Sequence, residues 1–414
     1  MERIQSVAGI LVLAVIAAAF SERRRAINWR TVSIGIILQL LLALVLLKAP
    51  ASQWVFIFLN KGVSAIEEAT RAGTSFVFGY LGGGPLPFDQ RHSGTGFILA
   101  FQSLPIILVL SALSSLLFYW RVLPLIVRGF SWFFGKTMRL GGVEGVGTAA
   151  NIFVGMVEAP LLIRPYLSKI SRSELFTIMT AGMATIAGTV MVIYATILRD
   201  VIPGAIGHLL TASLISAPAA VTVAKLMIPE TQTLSGRDIS VPRGADSSMD
   251  AITRGTLDGL KLFMSIIAML IVLVALVHLV NSILGMLPAP GGKAITFQGL
   301  LGYIMSPIAW LMGIPWSQSI TAGSLMGTKT VLNEFVAYLN LVSLPPDALD
   351  PRSRLIMTYA LSGFANFGSL GIMIGGMGSM ASEIRGDVVA LGIKAIIAGT
   401  IATCMTGAVV GVIH

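Results

Sequence analysis

Charge is scarce in this sequence. Only 11% of its 414 residues are Asp, Glu, Lys or Arg, against 55% hydrophobic, so no ordinary charged shell can be wrapped around an apolar core and a soluble globular domain is excluded. Cysteine is nearly absent: Cys404 alone permits neither an intrachain disulfide nor a cysteine metal cluster. His92, His208, His278 and His414 lie far apart without HExxH-like spacing, which leaves metal catalysis without ligands. The stretch "GSLMGTKT", Gly323 to Thr330, lacks the Gly-Lys-(Ser/Thr) order of a phosphate-binding loop because Thr328 intervenes. "GGVEGVG" at 141–147 follows no strand, so helix packing or a hairpin bend explains its glycines better than a dinucleotide site. No plausible nucleophilic serine and histidine pair or metal motif is recognisable inside the apolar segments, so an enzyme is not expected and neither is a cofactor. The net charge of +9 is scattered over short loops, which argues against nucleic acid as a partner.

What is abundant is apolar sequence of membrane-spanning length. Stretches near 4–20, 31–48, 97–120, 175–198, 205–228, 260–287, 354–380 and 388–412 read as eight spans in one lipid-embedded domain. Arg23, Arg24 and Arg25 follow the first run instead of preceding it, so it reads as a retained span with the N-terminus outside. The basic stretches after the first and third spans and before the fourth then fall on one face, the cytoplasmic one of an inner membrane, and an even number of spans puts the C-terminus outside as well. The polar loop 229–258 lies on that cytoplasmic face and separates two halves. Residues 50–72 interleave Lys61, Glu67, Glu68 and Arg71 with aromatic and aliphatic residues, as an amphipathic helix in the outer interface does. The 19 methionines suit gap-filling between moving helices better than metal binding.

Residues 137–167 and 313–345 fit no span. Both are apolar, interrupted by polar residues and flanked by glycine or proline, as in re-entrant hairpins of two half-helices. Each holds one acid near its tip, Glu158 and Glu334. After each comes a span with a similar core: "GMATIAGT" (Gly182 to Thr189) and "GFANFGS" (Gly363 to Ser369). By the span count one hairpin enters from inside and the other from outside, so the repeat is inverted. A membrane-buried acid costs about 2.5–3.5 kcal/mol on insertion scales, and such acids mark substrate or ion paths more often than paired or snorkelling carboxylates. Lys329, near Glu334, reads as a structural ion pair or a helix-end contact ahead of a substrate contact.

The fold class expected is therefore an all-α polytopic membrane protein, with eight transmembrane helices plus two re-entrant helical hairpins in an inverted repeat. Four parts follow: N-terminal scaffold spans with the interfacial helix (1–136), a first transport repeat (137–228), the cytoplasmic loop with a long scaffold span (229–312), and a second transport repeat (313–414).

The motifs "FVFGYLGGG" (Phe76 to Gly84), "GMVEAPLLIRPY", "GMATIAGTVMVIY", "GTKTVLNEFVAY" (Gly327 to Tyr338) and "SGFANFGSLGI" (Ser362 to Ile372) resemble those of the concentrative nucleoside transporters over nearly the whole chain. The resemblance implies a homotrimer in the lipid bilayer that imports nucleosides by symport with a cation, sodium first and protons as the alternative. It implies that Glu334 and Asn333 meet the ribose hydroxyls together with Asn366 and Ser369, with Phe364 close by. Glu158 would reach the nucleoside through water and ribose, Gly155, Met156 and Val157 would face the base, and Val190 would wall it. Asn151, Val154, Thr185 and Ile186 fall on the family's sodium site; read without the resemblance, Asn151 and Thr185 suit interhelical hydrogen bonds as well.

A desolvated carboxylate accepting from a vicinal diol is chemically apt, and oxygen ligands suit a hard cation. Many family members carry Gln and then Ser or Thr directly before the first acid. Met156 and Val157 stand there in this chain and offer packing and at most a weak sulfur acceptor, which predicts loose base selectivity. A passive pore and an intramembrane enzyme are the readings from other classes.

Overall fold

The computed structural model describes residues 2–88, 98–236, 245–287 and 295–414. His92, the first residue of the span at 97–120 and the middle of the polar loop, 237–244, lie outside the described residues. The described chain is helical throughout. In order it forms α1 (Glu2–Ala19), α2 (Trp29–Lys48), α3 (Pro50–Phe78), α4 (Leu99–Gln102), α5 (Ile106–Tyr119), α6 (Val122–Thr137), α7 (Gly142–Asn151), α8 (Glu158–Leu162) and α9 (Arg172–Ala184). Then follow α10 (Gly188–Leu198), α11 (Ala205–Met227), α12 (Ser248–Leu284), α13 (Phe297–Leu311), α14 (Trp316–Val331), α15 (Glu334–Ser343), α16 (Pro351–Leu361), α17 (Phe367–Met380) and α18 (Arg385–Ile413). Among the described residues seven helices, with α4 and α5 counted as one and α9 and α10 as another, are long and apolar enough to cross a membrane.

Several helices start where side chains satisfy the first free N–H groups. Ser171 and Glu174 form a reciprocal capping box on α9, and Asp350, Asn333 and Asn366 cap α16, α15 and α17. Two spans read as continuous from their hydropathy are in fact broken. The stretch 175–198 divides at Thr185–Ala187, where Thr185 is extended (φ −112°, ψ 171°), and 354–380 divides between Leu361 and Phe367. Hydropathy averages over the interruption, because these breaks are short and made mostly of apolar or small residues. The same averaging hid α6 inside the basic stretch after the third span and α13 before the second hairpin; α13 and α14 meet at 118°. The helix expected at 50–72 runs on to Phe78 as α3, and α12 begins inside the polar loop at Ser248, capped by Ser247.

The broken helices cross at their breaks. A Cβ on Gly363 would lie 2.9 Å from the Met183 carbonyl oxygen and 2.8 Å from Thr403 Cγ2, so only glycine lets the two chains approach this closely. The Gly188 N–H donates to the Phe153 carbonyl at 2.9 Å, which joins the first break to the tip between α7 and α8. Ion pairs tie the helices at both ends. At one end Glu22 meets Arg172 (3.2 Å) and Lys394 (2.7 Å); at the other Arg352 meets Glu2 (3.2 Å), and Arg3 donates to the His414 carbonyl (3.1 Å). The two chain ends therefore share one side of the bundle.

Candidate substrate and cation site

One cavity lies where the tips and breaks converge. All ten expected substrate residues line it: Gly155, Met156, Val157 and Glu158 from the first tip, Val190 from α10, Asn333 and Glu334 from the second tip, and Phe364, Asn366 and Ser369 from the second break. The helix starts explain the polar side. Glu334 is the first residue of α15 and Glu158 the first of α8, so both carboxylates sit at helix N-termini, where partial positive charge favours them.

Glu334 is buried and doubly held. Tyr194 Oη donates to its Oε1 at 2.5 Å, and Asn366 Nδ2 donates to its Oε2 at 2.9 Å. Asn366 is itself fixed, because its Oδ1 accepts the Ser369 N–H at 2.7 Å as the cap of α17. Asn333 Oδ1 accepts the Val336 N–H at 2.9 Å. Glu158 is held differently: its carboxylate lines the cavity close to the backbone of Gly155. A Cβ on Gly155 would lie 2.2 Å from Glu158 Oε2, so a side chain there would displace the carboxylate. Opposite the polar groups, Met156, Val157, Val190 and Phe364 give an apolar wall. Such a cavity suits a solute with one hydroxylated end and one flat, weakly polar end.

Sequence reasoning missed two parts of this site. Tyr194 lies four residues after Val190, hence on the same face of α10, and that spacing was the available signal. Leu262, Ser265, Ile266 and Met269 come from α12 at the spacing of a single helical face, which the strong apolar run of that span concealed.

The four expected cation residues also gather. Thr185 Oγ1 lies 2.7 Å from the Asn151 carbonyl oxygen and 2.8 Å from that of Ala181. Asn151 Nδ2 donates to the carbonyls of Gly147 (3.0 Å) and Ile178 (3.4 Å), whereas its buried Oδ1 has no hydrogen-bond partner. Val154 and the buried Ile186 flank it on the tip and in the break. Neutral oxygens around an unsatisfied acceptor fit a hard monovalent cation. Among the described residues no group of three or more His, Cys, Asp or Glu is placed to hold a metal ion.

Broken helices crossing around a cavity lined by two carboxylates, with no nucleophile and base assembled there, are the architecture of a membrane transport protein. The particular lineage is equally clear: the chain belongs to the concentrative nucleoside transporter family. Residues 208–411 match the family described as "Na+ dependent nucleoside transporter C-terminus", residues 8–81 match its N-terminus, and residues 100–200 match "Nucleoside recognition". The chain is 38% identical to the "Uncharacterized transporter YutK" of Bacillus subtilis, over 97% of each chain. It is 36% identical to the "Nucleoside permease NupC" of Helicobacter pylori, over 98% of this chain and 96% of that one. The solved structure of CNTnw in an inward-facing substrate-bound state superposes with a TM-score of 0.90 at 35% identity, covering 99% and 98% of the two chains. The protein is thus a nucleoside transporter working by cation symport, not an enzyme.

Proposed function

We propose that this protein imports nucleosides into the cell across the cytoplasmic membrane, driven by sodium. The observation that carries the reading is Glu334, whose two carboxylate oxygens are held by Tyr194 from the first repeat and Asn366 from the second. A ribose diol docking there donates to a carboxylate that is already oriented, and charge-assisted bonds of this kind contribute about 1.5–3 kcal/mol each. In this reading Asn333, Asn366 and Ser369 complete the ribose contacts, Phe364 lies beside them, and Glu158 reaches the nucleoside through water. Gly155, Met156 and Val157 face the base and Val190 walls it. Because neither Met156 nor Val157 offers a strong base partner, selection among bases is loose and rests on shape and stacking.

Sodium is assigned to Asn151, Val154, Thr185 and Ile186, supported by the unpartnered Asn151 Oδ1. One elementary charge moved with the nucleoside contributes about 2.3 kcal/mol per 100 mV, roughly a fifty-fold concentration of a neutral solute before any ion gradient is added. The moving unit comprises the two repeats, 137–228 and 313–414, working against a scaffold in a homotrimer, with both termini outside. The packing of α5 on α12 supports a scaffold wall, while α1 and α2 pack on α11 and α18 and so lie beside the moving unit.

The test is uptake of tritiated uridine and adenosine into proteoliposomes under an inward sodium gradient, an inward proton gradient, or neither. Sodium-driven accumulation of both nucleosides is expected. Accumulation under protons alone overturns the sodium assignment, and refusal of all ribonucleosides overturns the substrate reading.

A further inference from the structure

Lys329 is fully buried in the last turn of α14, deep in the transport unit, and the substrate site does not use it. Its ammonium does not pair with Glu334. Nζ donates instead to the Ala360 carbonyl at 2.8 Å, in the last turn of α16, and to Thr403 Oγ1 of α18 at 2.9 Å. Helix C-termini carry partial negative charge and unpaired carbonyls, and inside a bilayer water cannot answer them. Each repeat brings two such ends together: α7 against α9 in the first, α14 against α16 in the second.

The two repeats answer this shared problem differently. In the second, the ammonium of Lys329 lies between the ends. In the first, the ends meet through the Thr185 hydroxyl, near the carbonyls of Asn151 and Ala181, and the buried Asn151 Oδ1 is left without a donor. A supporting helix supplies a hydroxyl in both, in opposite senses: Ser213 of α11 donates to the Ile152 carbonyl at 3.1 Å, and Thr403 Oγ1 of α18 accepts from Lys329 Nζ at 2.9 Å. Lys329 stands five residues before Glu334, and the residue five before Glu158 is the neutral Phe153.

We propose that Lys329 is a tethered cation, standing in the second repeat where the first repeat takes the exchangeable coupling ion, so that one cation and not two accompanies each nucleoside. The proposal rests on the cation site assigned above. Lys329 travels with the moving unit in both directions, so it contributes no net charge per cycle. It would act by positioning the break of α16 and α17, on which Asn366 and Ser369 are carried, without touching the nucleoside.

The deciding measurement is the charge moved per nucleoside, from the reversal potential of uridine-coupled current in proteoliposomes of the full chain. The wild type and Lys329→Arg should move one charge per nucleoside. Two charges in the wild type overturn the proposal. If protons carry the single charge, the sodium assignment falls and the comparison between the repeats falls with it, whereas two sodium ions per nucleoside leave that assignment standing and overturn the role of Lys329 alone, so the two failures are distinguishable. Lys329→Ser removes the ammonium and leaves an oxygen with room beside it; uptake should then move two charges per nucleoside, with a Hill coefficient for sodium rising from about one to about two. Lys329→Ser transporting at the wild-type rate with one charge overturns the idea. If that variant does not assemble, the ratios of the wild type and Lys329→Arg decide.

Discussion

Tyr194 and Glu334 come from different repeats and meet at 2.5 Å in a buried setting, so the hydroxyl both orients the acid and moderates its charge. Removing it by Tyr194→Phe leaves Oε1 with one donor fewer. Nucleoside affinity should fall about tenfold, the lower end of the range for a hydrogen bond to a charged group, while the sodium dependence of uptake keeps its shape. Glu334→Gln removes the charge itself and should weaken ribonucleoside binding by about ten- to a hundredfold, measured by calorimetry or by uptake at graded uridine. Retained affinity in Glu334→Gln would refute the ribose assignment. That Glu334 is special was legible in the sequence, since an acid is isolated in apolar surroundings. Its partner Tyr194 was not, because one tyrosine in an apolar helix carries no mark of the residue 140 positions away that it touches.

At the level of elements, the sequence revealed the long apolar helices and the two interrupted segments, 137–167 and 313–345, and concealed the breaks within 175–198 and 354–380. The reason is physical. A break of three to five residues barely lowers an average taken over some twenty, and the residues that make it, such as Thr185, Ala187, Ser362 and Gly363, are ordinary inside spans. The repeated "GMATIAGT" and "GFANFGS" were the visible trace of these breaks. Gly363 shows why the second trace begins with glycine: a methyl there would press on the Met183 carbonyl and on Thr403. Gly363→Ala should destabilise the protein by about 1–3 kcal/mol, the usual range for overpacking, and lower the thermal unfolding midpoint in detergent. Gly371, with open space around its Cβ position on α17, is the control, and Gly371→Ala should leave that midpoint nearly unchanged. Equal midpoints for the two variants would mean that the breaks do not cross as tightly as these distances require.

For the whole molecule, the ion pairs at the two ends of the bundle set how far helices may move. Glu22 joins the loop after α1 to the start of α9 and to the third turn of α18. Partial burial pushes its carboxyl up, but Arg172 and Lys394 outweigh burial and hold it below the ordinary value of 4.5. A carboxyl depressed in this way stabilises the fold fully above the unfolded value and ceases to do so as pH falls through its lower folded value. Thermal stability should therefore decline on acidification below about pH 4.5, and Glu22→Gln should flatten that part of the profile. The opposite end has a second tie: Glu67 of α3 accepts from Thr196 and pairs with Arg199, on and just after α10. Since α10 carries Val190 and Tyr194, this tie links α3 to the helix that lines the cavity. If the repeats move past a scaffold that includes α3, the tie must break in each cycle. The sole native thiol, Cys404, is buried, so an engineered pair is free of interference. Oxidising Glu67→Cys with Thr196→Cys should arrest uptake, and reductant should restore it, with each single variant unaffected by oxidant. Unimpaired transport in the cross-linked protein would mean that α3 travels with α10 and that the scaffold is limited to α5 and α12.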